Sequence, residues 1–60
     1  MKITEFKKLM RSKGFLVNIG YGSGYTLIKG SDKYFISKYD IICLSDISYL
    51  NLEDFKFYGN

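Results

Sequence analysis

The chain contains no histidine, no proline and no tryptophan, and it has one cysteine among its 60 residues. Without histidine it lacks the imidazole that most often serves as a general acid or base near neutral pH. A single cysteine cannot form an internal disulfide, and zinc sites need several Cys or His ligands. Because free cysteine is among the most buried residue types, we expect Cys43, in the apolar run "IICL", to lie in the core.

No long hydrophobic run is present either. The start "MKITEF" is charged but is not followed by the apolar segment of a signal peptide. The longest uncharged run, residues 14–28, contains four glycines together with Asn18 and Ser23, so it is too polar and too short to span a bilayer. We therefore expect an intracellular, cytoplasmic protein without a membrane segment.

The length and composition indicate one small folded domain over residues 1–60. Hydrophobic residues make up 47% of the chain and aromatic residues 18%, which favours a packed core over disorder. A chain of this length buries only about 60% of its extended surface on folding, so its stability should be marginal. Association as a homodimer would relieve this shortage of buried area.

The opening segment "ITEFKKLMRSKG" has the pattern of an amphipathic helix. Its apolar residues recur at helical spacing, whereas most of its cations fall on the other side. Thr4 is the predicted N-cap, and Glu5 follows in the first turn, where the helix dipole favours it. Gly14 suits the left-handed position that ends a helix, with Phe15 making the accompanying hydrophobic contact.

The next segments predict strands: "FLVNIG", "YTLIK" and, after the turn "GSD", "KYFISKY". The predicted fold class is therefore α+β, with an N-terminal helix packed on a three- or four-stranded antiparallel sheet. The run "IICL" fits a strand or one turn of helix. Asp40 or Ser45 could cap a helix there, and Asn51 could cap a short C-terminal helix, although "FKFY" also fits a strand. The predicted core comprises Phe6, Leu9, Met10, Val17, Ile19, Leu27, Ile36 and Ile42.

The segment "GYGSGY", residues 20–25, is the most distinctive motif. Its glycines stand at positions 20, 22 and 24 and precede a strand, so it is not the G-x-G-x-x-G fingerprint of a dinucleotide site, and it lacks the G-K-[ST] of a phosphate loop. The simpler interpretation is a hairpin tip relaxed by glycine. The functional interpretation is an exposed contact tip in which Tyr21, Ser23 and Tyr25 bind a protein partner, because Tyr with Gly and Ser is typical of recognition loops.

Charge is distributed unevenly. Residues 1–30 carry six cations against Glu5, a balance of +5, and residues 31–60 carry a balance of −2. The alternative function is therefore a nucleic-acid-binding module that uses the basic helix against phosphates and aromatic side chains against bases. The predicted cations are Lys7, Lys8, Arg11 and Lys13, and the predicted stacking residues are Tyr34, Phe35 and Tyr39. The acidic residues Asp46, Glu53 and Asp54 lack EF-hand spacing, and we expect them to be solvated or capping.

Residues 1–36 resemble the small messenger-RNA interferase toxins of the HicA type. The resemblance rests on "KLMRSKGF" followed by "GSGYTLIKGSDKYFI", in which Gly22 and Ser23 match the first two positions of a Gly-Ser-His motif. It implies a fold like that of a double-stranded-RNA-binding domain. Gly24 stands where the family has its catalytic histidine, and the chain lacks the leucine-rich closing helix. The resemblance therefore implies the fold without ribonuclease activity.

We expect no enzymatic activity and no cofactor, since a chain of 60 residues offers little room for a pocket of about 300–1,000 Å³. In its small size, its residue bias typical of AT-rich coding sequence and its lack of cofactor motifs, the chain resembles phage- or prophage-encoded proteins that inhibit a host factor. Typical targets of such proteins are defence nucleases, including CRISPR effectors. The expected function is therefore stoichiometric occlusion of a host protein.

Overall fold

The structure is a computed structural model of the chain, and it describes residues 1–20 and 22–57. Helix α1 is followed by three strands, a short helix α2 and two single turns of 3-10 helix. The bounds are α1 Ile3–Ser12, β1 Leu16–Ile19, β2 Gly24–Lys29, β3 Asp32–Ser37 and α2 Lys38–Cys43, with 3-10 turns at Ile47–Tyr49 and Leu52–Phe55. The strands form one antiparallel sheet in the order β1-β2-β3. The predicted α+β fold class is confirmed.

Helix α1 ends as its sequence predicts but begins earlier. Gly14 has φ +94°, and its N–H donates to the Arg11 carbonyl, while the Phe15 N–H donates to the Met10 carbonyl at 3.1 Å. These two bonds close the glycine-terminated helix end that the sequence indicates. The prediction of Thr4 as N-cap is wrong. The Lys2 carbonyl already accepts the Phe6 N–H at 3.0 Å, so Lys2 is the N-cap and the helix begins at Ile3. The Lys2 side chain makes no capping hydrogen bond.

The core lies between the helices and one face of the sheet. Side chains on that face come from alternate strand positions, in register across the sheet as Val17, Leu27 and Tyr34. The buried side chains are Phe6, Met10, Tyr25, Leu27, Ile36 and Ile41. The other face carries Leu16, Asn18, Thr26, Ile28, Lys33 and Phe35, and none of these side chains belongs to the core.

The predicted core is correct in its centre and wrong at two positions. Of the predicted residues, Phe6, Met10, Leu27 and Ile36 are buried, and Leu9 and Val17 are half-buried. Ile19 is 85% exposed because it ends the edge strand β1, which within the described residues pairs with β2 alone. Ile42 is 60% exposed because α2 turns its neighbour Ile41 into the core instead.

The last third of the chain is held by short caps. "IICL" continues a helix whose N-cap is Ser37, so the third strand ends two residues before its predicted limit. The Ser37 hydroxyl oxygen accepts the Asp40 N–H at 3.1 Å, so the predicted caps Asp40 and Ser45 are both wrong for this helix. The predicted Asn51 cap is confirmed, since its side-chain oxygen accepts the Glu53 N–H at the start of a 3-10 turn.

The final residues of the described chain extend the sheet beyond β3. Tyr34 and Lys56 form an antiparallel bridge, and the Phe57 N–H donates to the Lys33 carbonyl at 2.7 Å. The Lys56 ammonium also lies 3.4 Å from the Asp32 carboxylate. The outer edge of β3 is therefore partly covered, whereas β1 stands at the opposite edge of the sheet.

Candidate interaction surfaces

The predicted contact tip is a tight hairpin between β1 and β2. The Gly20 N–H donates to the Gly24 carbonyl at 2.9 Å and closes the loop. Gly22 and Ser23 are exposed at the tip, as the sequence predicts for Ser23, while Tyr21 lies outside the described residues. The Ser23 carbonyl accepts the Lys38 N–H at 2.9 Å, which joins the tip to the first turn of α2.

Two of the glycines are explained by one aromatic ring. A Cβ added at Gly20 would lie 2.5 Å from the Phe35 ring, and one added at Gly24 would lie 2.4 Å from it. The Phe35 side chain therefore packs directly on the backbone at the base of the hairpin, on the sheet face opposite the core. Glycine at these positions serves close packing, which supports the hairpin interpretation of the motif.

The prediction that Tyr25 belongs to an exposed tip is wrong. Its side chain is only 8% exposed, because strand alternation places it on the same face as Leu27, toward the core. The Lys7 ammonium lies 5.2 Å from the centre of the Tyr25 ring, a cation–π contact that covers the ring further. Tyr25 supports the fold and has no surface with which to anchor in a partner's pocket.

The outward side of α2 presents apolar groups instead. Tyr39 is 74% exposed, Ile42 is 60% exposed and Cys43 is exposed, so the prediction that Cys43 lies in the core is wrong. Positions 39, 42 and 43 are spaced i, i+3 and i+4, so they share one face of the helix, opposite the buried Ile41. A hydrogen bond with the Cys43 thiol raises the pKa of Tyr39 above its ordinary value, so the two side chains lie together.

We call Ser23, Tyr39, Ile42 and Cys43 the tip–helix surface. The bond from the Lys38 N–H to the Ser23 carbonyl joins the two segments of this surface, and Tyr39 follows Lys38 directly in the chain. The sequence carries one signal that could have located it. Ser37 followed three residues later by Asp40 is the S-x-x-[DE] pattern of a helix start, and the helix that it predicts places positions 39, 42 and 43 on one side.

The predicted nucleic-acid residues are only partly brought together. Lys8, Arg11 and Lys13 are exposed on α1 and at its end, whereas Lys7 is half-buried against Tyr25. Tyr34 is half-buried on the core side of the sheet, in an edge-to-face contact with Phe15 at 6.0 Å between ring centres. The three predicted stacking residues do not form one platform, since Phe35 lies on the opposite face and Tyr39 on α2.

Within residues 1–20 and 22–57, no group of three or more His, Cys, Asp or Glu side chains could hold a metal ion. The same part of the chain contains no helix long and apolar enough to cross a membrane.

Comparison with known protein families, characterised proteins and solved structures finds no match. The HicA-like resemblance therefore stays a prediction, and function is argued from the surfaces themselves.

The packing of Phe35 on the hairpin predicts that Gly24→Ala destabilises the protein. The added Cβ would meet the ring at 2.4 Å and the Ile36 carbonyl oxygen at 2.8 Å, so we expect a loss of about 1–3 kcal/mol in the free energy of unfolding. In a small domain this corresponds to a fall of about 4–8 °C in Tm per kcal/mol, measured by thermal unfolding.

Two further variants test the cause of this loss. Ser23→Ala, at the exposed neighbouring position, should change stability by no more than about 0.5 kcal/mol. Gly24→Ala should cost less in a Phe35→Ala background, because the ring is then absent. An equal cost in both backgrounds would show that the ring does not require glycine at this position.

Proposed function

We propose that this chain is a small non-catalytic binding protein that acts by occluding a protein partner, with the tip–helix surface as its docking site. The observation that carries the proposal is the apolar face of α2, where two large side chains and a thiol are exposed side by side. Single exposed apolar residues are common on proteins, whereas a contiguous group indicates an interaction site. A face of this kind can bury Tyr39 as an anchor, and tyrosine is enriched among residues that dominate binding energy.

Preorganisation supports the same surface. Helix α2 is fixed at its start by the Ser37 cap, and the peptide carbonyls at its end accept bonds from the Met1 ammonium. Groups already held in their binding conformation lose less entropy on association, which raises the affinity obtained from a small area.

The class of partner follows from the character of the chain. We propose a phage- or prophage-type inhibitor whose target is a host factor such as a defence nuclease, acting in the manner of an anti-CRISPR protein in the host cytoplasm. The small size, the AT-rich residue bias and the absence of a cofactor motif support this class. Occlusion requires one copy of the chain for each blocked site and no turnover.

Substitution of the α2 face should abolish partner binding. Tyr39→Ala combined with Ile42→Asp removes the anchor and places a charge in the apolar face, at positions that are exposed and therefore outside the core. We expect loss of a stoichiometric protein partner in affinity capture from a lysate of the source cell, at about 0.15 M salt and after nuclease treatment. Truncation of an anchor residue typically costs about 2–4 kcal/mol in binding.

Tyr49→Ala provides the matched control. Tyr49 is a similarly exposed tyrosine on the 3-10 turn Ile47–Tyr49, outside the tip–helix surface, so this variant should retain the partner. Thermal unfolding of each variant should show that all of them remain folded. Retention of the partner by the doubly substituted chain would reject the tip–helix surface as the docking site.

The second candidate is a nucleic-acid-binding module with a fold like that of a double-stranded-RNA-binding domain. Exposed cations favour it: Lys8, Arg11 and Lys13 make no ion pair within the described residues, so their charges are open to phosphates. The chain has one helix, three antiparallel strands and a short second helix, an order compatible with the fold that the HicA-like resemblance implies. The net charge of +3 gives modest electrostatic attraction to a polyanion.

Charge reversal tests this candidate directly. Lys8→Glu with Arg11→Glu should weaken binding to a labelled RNA or DNA duplex and reduce the salt dependence of the binding constant, because each lost phosphate contact lowers its slope by about 0.9. Fluorescence anisotropy over a range of salt concentrations measures both quantities. Lys38→Glu is the control, an exposed lysine on α2. Binding that is unchanged by the double reversal would reject the basic helix as the contact.

A further inference from the structure

Strand β1 has an outer edge whose backbone groups can be assigned from the ladder. The Gly20 N–H bonds to the Gly24 carbonyl, and pairing continues as Asn18 with Thr26. In an antiparallel pair, alternate residues bond to the neighbouring strand. Residues 16, 18 and 20 therefore point their N–H and C=O groups toward β2, and Val17 and Ile19 point theirs outward.

The same alternation is consistent across the rest of the sheet. On β2, Gly24 bonds toward β1, and the adjacent Ser23 carbonyl accepts the Lys38 N–H on the β3 side. On β3, the same alternation directs the Lys33 carbonyl away from β2, where it accepts the Phe57 N–H. In the part of the chain that the structure describes, no residue bonds to the outward groups of Val17 and Ile19.

This edge also lacks the usual protection against pairing. Natural edge strands are commonly guarded by charged side chains, especially lysine, or by proline. Strand β1, "LVNI", has neither, although the chain has nine cations and β2 and β3 each carry lysine. Two copies of a chain with net charge +3 can therefore approach at β1 without placing like charges opposite each other.

We propose that β1 pairs with β1 of a second copy of this chain, antiparallel about a two-fold axis at Asn18. In this register, Val17 of each copy lies opposite Ile19 of the other. The outward N–H and C=O groups of both residues are then all bonded, four hydrogen bonds in total. The result is a six-stranded sheet with the helices of both copies on one side.

The side chains fit this register on both faces. On the core side, the 85%-exposed Ile19 would be covered by Val17 of the second copy. On the other side, the 64%-exposed Leu16 would face Gly20 of the second copy, over which the Phe35 ring lies. The pairing thus covers two of the most exposed aliphatic side chains and places Asn18 opposite Asn18, where two amides can bond to each other.

The size of the edge sets the strength of this contact. Four residues of strand extend about 14 Å, which is small for an interface that needs roughly 1,200–2,000 Å² of buried surface to be stable. We therefore expect a dimer with a dissociation constant in the micromolar-to-millimolar range. The dimer contact uses a different surface from the proposed docking site, so the dimer and the proposed function can each be rejected without the other.

Sedimentation of the purified full chain over a concentration series up to about 1 mM tests the dimer. We expect a reversible monomer–dimer equilibrium that Ile19→Lys weakens at least tenfold, because lysine at this position charges the edge without entering the core. Ile42→Lys, at an exposed isoleucine on α2, should leave the equilibrium unchanged. A chain that stays monomeric over the whole range, or equal weakening by both variants, would overturn the proposal.

Cross-linking tests the register. In a background with Cys43→Ser, Asn18→Cys places two thiols opposite each other in a non-hydrogen-bonded pair with Cα atoms about 4.5 Å apart, within reach of a disulfide. Leu16→Cys is the control, since the two copies of position 16 are offset by four residues, about 13 Å. We expect oxidised dimer from Asn18→Cys alone. Dimer from Leu16→Cys, or from neither variant, would overturn this register.

Discussion

The packing of Phe6 and Met10 against Leu27 and Ile36 is the contact on which the rest of the structure depends. All four side chains are fully or almost fully buried, and they hold α1 on one face of the sheet. Loss of a single large core side chain typically costs about 2–5 kcal/mol, which is comparable with the whole stability of a domain this small. The helices cover one face of the sheet, and the buried apolar side chains lie between the helices and that face.

One-sided packing determines which surfaces remain for function. The apolar side chains that cannot reach the core are turned outward at the β1 edge and on α2, where Leu16, Ile19, Tyr39 and Ile42 are exposed. The domain therefore presents two separate apolar surfaces. One is the edge of β1, whose outward backbone groups have no partner among the described residues, and the other is formed by side chains of the capped helix α2. The first suits strand pairing with an identical copy, and the second suits a partner of different shape.

The sequence predicts what depends on local periodicity and fails where tertiary placement decides. Helix α1, its end at Gly14 and the three strands follow from spacing and from the conformational preference of glycine. The exposure of Ile19 could not be predicted from the sequence. Only the three-dimensional arrangement shows that this end of the edge strand is not covered by the helices. At Tyr25 the error is the opposite, since a residue expected to be exposed is buried. The glycine motif extends into β2, so strand alternation turns Tyr25 toward the core. Burial of Ile41 rather than Ile42 can be predicted only once α2, the helix that Ser37 caps, is recognised.

The most direct test of this account is amide hydrogen exchange resolved along β1. If the edge is open as described, the amides of Leu16 and Asn18 are protected at low protein concentration, whereas those of Val17 and Ile19 exchange rapidly. As the concentration rises and copies pair, the amides of Val17 and Ile19 should gain protection. Equal protection of all four amides in the dilute protein would contradict the open edge. Rapid exchange of Val17 and Ile19 at every concentration would contradict the pairing.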